Sequence, residues 1–116
     1  MNANLLAAKA KLLTGLDTAA FLLRSQPAGS ECFIHTMKAL SISNIVEGIH
    51  NLLLLGLQYK YVFEVPEGPR HAILMSEREA ALADIKGLVL EAFLALKSIG
   101  FPKNLMVAME ENYSRL

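Results

Sequence analysis

"SISNIVEGIHNLLLLGLQYKYVFEV", residues 41–65, decides how this chain is read. Ser43 is a good helix N-cap, because its hydroxyl accepts an N–H from the turn that follows. Ile45, Val46, Ile49, Leu52 and Leu53 recur at helical spacing, and Gly56 suits the left-handed position just past a helix end. After Gly56 the period changes. Tyr59, Tyr61, Phe63 and Val65 alternate with Lys60, Val62 and Glu64, in residue types enriched in strands. The stretch therefore predicts a helix over 44–55 that delivers the chain into a β-hairpin.

The flanks extend this reading. "PEGP" (Pro66 to Pro69) is turn chemistry, and "RHAILM" after it supplies the partner strand. Ser76 and Glu79 form a capping-box pattern that opens a long helix to about Ser98, ended by Gly100 and Pro102. A last helix follows over about Lys103 to Arg115. Upstream, Leu5, Leu12, Leu13, Leu16, Ala20 and Leu23 keep helical spacing from Asn4 to Arg24. Asp17 is placed to cap a second piece, so two short helices or one bent helix are expected there. "QPAG" stops that run, and Ser30 can cap a helix through Leu40 with Phe33, Ile34 and Met37 on its apolar face. Only about three residues then separate two helices, which is helix-turn-helix geometry. The expected fold is mainly α with one β-hairpin, in a single domain over 1–116.

Composition narrows the function classes. The chain has 116 residues, of which 53% are hydrophobic and 19% charged, which excludes a disordered linker. The apolar share is high for a small monomer and points to surface shared with a second copy. Eleven basic and eleven acidic residues give zero net charge, so any attraction to nucleic acid must be local. Cys32 is the only cysteine, which fits a reducing, cytoplasmic setting. Lys9 and Lys11 follow the first apolar residues, the reverse of a signal peptide's order. The longest unbroken apolar run, Leu52 to Leu57, is too short for a bilayer. No membrane association is expected.

The order of elements, and certain residues within it, resemble the MarR and SarA group of winged helix-turn-helix transcription regulators. Ile45, Ile49, Leu52 and Gly56 stand at that family's recognition-helix positions, and Leu40, Ser41 and Ser43 at its Leu-Ser-x-Ser turn. "PEGPRHAILMSE" is similar to its wing, with Arg70 at the wing arginine. The match covers about residues 17–79, and segments 1–16 and 80–116 would supply core and dimerisation helices. His35, Lys38, Glu47 and Gly68 depart from the family pattern.

The resemblance implies a homodimeric regulator reading double-stranded DNA with the 44–55 helix and a wing at 66–70. With Ile45, Ile49 and Leu52 turned inward, Ser43, Asn44, Glu47, His50 and Asn51 lie on or near the outer side. Asn44 suits an adenine edge and Glu47 a cytosine amine, while Ser41 and Ser43 can meet phosphate or base. Arg70 would reach a minor groove or phosphate, with His71, Lys60 and Lys38 assisting. Each feature also has an ordinary role: Ser43 and Asn44 start helices anywhere, and Glu47 is a common solvated residue.

Other chemistry is thin. Cys32, His35 and His50 lack the strong zinc spacings, and no nucleophile set or glycine-rich phosphate loop appears. No catalysis, metal or cofactor is expected. The helix after Ser76 carries Leu82, Ile85, Leu88, Val89, Leu90, Phe93, Leu94 and Leu96, more of its circumference than one core stripe needs. It is a central core helix or a dimerisation helix. The alternative to a regulator is a helical protein-interaction module, such as an adaptor, chaperone or secretion-system component, that holds a protein partner without binding DNA.

Overall fold

The computed structural model describes residues 2–25 and 31–116. Three long helices carry the fold: α1 (Asn2–Ser25), α2 (Glu31–Leu57) and α3 (His71–Ser98). A π-helical turn at Gln58–Val62 extends α2, and a 3-10 turn at Lys103–Leu105 precedes the short α4 (Val107–Ser114). No strand occurs among the described residues. The expected break at Gln26–Gly29 and the cap at Ser30 lie outside them.

The α1–α2 pair is an antiparallel hairpin held at very close range. A methyl group placed on Gly15 would lie 2.8 Å from Ile45 Cγ1 and 2.9 Å from the Ile45 backbone nitrogen. One placed on Gly48 would lie 2.8 Å from Leu12 Cβ and 2.9 Å from Leu12 Cα. Both pairs fit one register, which also sets Ala8 level with Leu52 and Ala19 level with Ser41. Each helix thus presents a stripe at 4-3-4 spacing, with a small residue opposite a larger one in three layers and two small residues, Ala19 and Ser41, together in the fourth.

This contact corrects the helix-turn-helix expectation. Ser41 and Ser43 do not form a turn; both lie inside the continuous α2. Ser41 is fully buried, and its hydroxyl donates to the Gly15 carbonyl across the hairpin at 2.9 Å. A buried serine satisfied by the neighbouring helix has no need to cap a new one. Asp17 likewise sits within an unbroken α1, exposed to solvent.

The β-hairpin and its wing are also overturned. Tyr59 is buried whereas Tyr61 and Phe63 are exposed, so the alternating residues do not share a face. The Phe63 N–H donates to the Gln58 carbonyl at 2.7 Å, the i+5 bond of a π turn. Gly56 does not end α2. It sits under Leu116, whose Cδ2 would be 2.7 Å from an added methyl. After an extended passage, Gly68 takes φ 141° and its carbonyl accepts the His71 N–H at 3.1 Å. "RHAILM" has no strand to pair with and opens α3 instead, leaving Ser76 inside the helix rather than at its cap.

α3 closes the core. Leu82, Ile85, Val89, Ala92, Phe93 and Leu96 are buried with Leu12, Ile45, Ile49 and Leu52. Burying each large side chain contributes roughly 1.5–3 kcal/mol. Lys9 ties α1 to α3 through Asp84 at 2.6 Å. Glu31–Val62 is long and apolar enough to cross a bilayer by length and composition, although no single unbroken run within it is. In this fold its residues 45, 49, 52 and 53 belong to the core.

The two interhelical glycines make a direct test. We expect Gly15→Ala and Gly48→Ala each to destabilise by about 1–2 kcal/mol, because overpacking outweighs the gain in helix propensity. Gly87→Ala, with open space around the new methyl, should stabilise by about 1 kcal/mol. Urea unfolding of the three variants in dilute solution checks both signs.

Candidate functional site

The residues expected to contact DNA fall in different surroundings. Ser41 is buried between α1 and α2. Asn44 is half-buried, with its Cβ 3.0 Å from where a Gly15 methyl would lie, so it borders α1. Glu47 pairs with Lys11 at 2.8 Å. Asn51 lines the same α1–α2 cleft as Glu47 and Lys11. Ser43 and His50 are exposed on α2.

The remaining four are elsewhere. Lys38 lines a groove of about 550 Å³ with Leu22, Leu23, Ile34, Ile99 and Gly100. Lys60 donates to the Leu116 carbonyl at 2.7 Å and lies 5.6 Å from the Tyr61 ring centroid. His71 Nδ1 is 3.1 Å from the Pro66 carbonyl and 4.0 Å from Glu67. Arg70 is exposed ahead of α3. Lys38, Asn51, His71 and Lys60 thus line four separate concavities.

No group of three His, Cys, Asp or Glu side chains placed to hold a metal occurs among the described residues. Cys32 is an exposed free thiol near the start of α2. No protein family, curated protein or solved structure matches this chain. Function must therefore be read from the surface itself.

That surface is rich in apolar side chains, both on α1 (Leu6, Leu13, Phe21, Leu23) and along the outer side of α3. Its inward face carries Leu82, Ile85, Val89 and Leu96. Its outer face carries Ile73, Ala80, Ala83, Gly87, Leu90 and Leu94, all exposed. Leu90 is 49% and Leu94 59% accessible, and nothing lies within 4 Å of a methyl built on Gly87. From Ala80 onward the spacing is 3-4-3-4, a heptad seam nearly opposite the core face. The excess of leucines round this helix was visible in the sequence. Which of them turn outward was settled by α1 and α2 taking the face of Ile85 and Val89.

Two buried polar atoms, the Tyr59 hydroxyl and Arg78 Nε, have no hydrogen-bond partner among the described residues. Tyr59 is 4% accessible, and its hydroxyl is unpaired among the described residues. Burial pushes its phenol above the ordinary value of 10.0. The folded state therefore holds this proton more tightly than the unfolded chain. The associated stability is present below about pH 10 and is lost as pH rises through the folded value. Tyr59→Phe should remove the unpaired hydroxyl at little packing cost, raise stability by about 1 kcal/mol at neutral pH, and flatten the alkaline decline. Thermal melts between pH 7 and 11 measure both effects.

Proposed function

We propose that this chain is a helical protein-interaction module that docks through the outer face of α3. The observation carrying this reading is the continuous exposed seam from Ala80 to Leu94 on a helix whose opposite face is already core. An apolar seam on a helix is the surface that pairs with another helix, because each side chain inserts between four on the partner. Ser41 is buried and bonded to Gly15, and Glu47 is paired with Lys11, so these polar candidates are taken up within the fold, which favours protein over nucleic acid.

The remaining apolar residues fit the same role. Leu6, Leu13 and Phe21 on α1 and Leu54 on α2 stay exposed. They widen the area over which a protein partner could be held.

A photo-crosslinking amino acid at position 94 tests the reading in cells that produce the chain. Discrete protein adducts at 94, lost when Leu90 is changed to Glu, are the expected result. Absence of protein adducts would overturn it. So would salt-sensitive binding of the purified chain to duplex DNA fragments, with a log–log slope indicating several phosphate contacts.

A further inference from the structure

We infer that the partner at the outer face of α3 is a second copy of this chain, packed antiparallel, α3 against α3. This inference rests on the interaction-module reading and names the occupant of the same surface. Three observations on the molecule lead to it.

The first is shape. The N-terminal half of the seam is small (Ala80, Ala83, Gly87) and the C-terminal half is large (Leu90, Leu94). A two-fold axis between Gly87 and Leu90 sets Gly87 against Leu90 of the second copy and Ala83 against Leu94. Every layer then joins a small residue to a large one, at the a-to-d spacing that antiparallel helix pairs use. A parallel pair would instead stack Gly87 on Gly87 and Leu94 on Leu94, close at one end and splayed at the other. The chain already builds one helix pair by this small-on-large rule, with Leu12 over Gly48 and Ile45 over Gly15.

The second is charge. The same register brings Lys97 beside Ala80 of the second copy, where Glu77 and Glu79 flank the seam. Neither Lys97 nor Glu77 has an ion-pair partner among the described residues, so the pairing is open to both. Asp84 approaches Glu91 of the second copy, a like-charge contact. Lys9, 2.6 Å from Asp84, supplies the counter-charge.

The third is area. The chain exposes 7237 Å². A compact monomer of 12.7 kDa would expose roughly 6,200 Å². The excess, on the order of 1,000 Å², goes with the 60 Å length of the molecule, which leaves the outer face of α3 open along its run to a partner that must cover about 800 Å² on each side. Gly87 adds to the case. A glycine in mid-helix with empty space around it has no use inside this fold, yet it forms the notch that Leu90 of a second copy would fill.

Light scattering on the purified full chain should give twice the 12.7 kDa mass at micromolar concentration. Leu94→Glu, Leu90→Glu and Gly87→Leu should each return it to single-chain mass with unchanged far-UV circular dichroism, since all three positions are solvent-exposed. Leu105→Glu, exposed in the turn before α4, should leave the mass doubled. Lys97→Glu should weaken association at least tenfold, and Glu77→Lys in the same chain should restore it.

Direction is read by disulfide trapping with Cys32→Ser throughout. A mixture of Ala83→Cys and Leu94→Cys chains should cross-link on oxidation, and neither alone should do so. Single-chain mass for the wild type at high concentration would overturn the inference, as would cross-linking of Ala83→Cys with itself. Adducts at position 94 to other proteins, with the wild type monomeric, would refute self-pairing while supporting the interaction module. No adducts of any kind would refute both.

Discussion

Everything in this molecule depends on how closely α1 and α2 approach. At Gly15 and Gly48 the backbone of one helix lies against side chain and backbone of the other, with no room for a methyl group. That proximity lets the Ser41 hydroxyl reach the Gly15 carbonyl, and it seats Leu12, Ile45, Ile49 and Leu52 in a common core. α3 then packs on a platform that the hairpin has already shaped. The cost of two helix-interior glycines is roughly 1 kcal/mol each in propensity, offset by dispersion contacts and burial along the whole crossing.

The hairpin also explains why the sequence was legible only in part. Helical spacing marked α1 from Leu5 to Leu23 and the apolar content of α2 and α3 as helical, and Leu12, Ile45, Ile49, Leu52, Ile85 and Val89 do form the core, while Leu13, Leu23, Leu90 and Leu94 of the same stripes are exposed. The chain between residues 40 and 76 was misread where short-range signals have two physical meanings. Ser41 and Ser43 favour helix starts, but a buried serine is equally stable when a neighbouring helix accepts its proton. Tyr59, Tyr61 and Phe63 favour strands, but a π turn changes the angular step per residue and breaks the apparent alternation. The Ser76 and Glu79 pattern was a sound cap signal that the helix did not use, since it had already begun at His71.

The surface was harder to read than the core. Periodicity showed that α3 has more apolar residues than one face requires, but it does not say which stripe is inward. The missed signal lay in the small residues. Ala8, Leu12, Gly15 and Ala19 share their 4-3-4 spacing with Ser41, Ile45, Gly48 and Leu52, and reading one stripe backwards against the other gives the hairpin register directly. The polar candidates fared differently: Glu47 and Lys60 are held by Lys11 and Leu116, contacts from distant segments that a local reading does not see.

The antiparallel stacking of long helices also governs how the molecule moves through solvent. Its principal extents are 60 × 26 × 17 Å, and its radius of gyration of 16.5 Å exceeds the roughly 13 Å of a compact domain of this length. A body of these proportions drags more water than a sphere of equal mass and tumbles at different rates about its long and short axes. On a sizing column a single chain therefore emerges ahead of its true mass. Backbone amides lying along the three helix axes relax as a set distinct from those in the extended passage after Phe63, so the shape is written into the relaxation of nearly every residue.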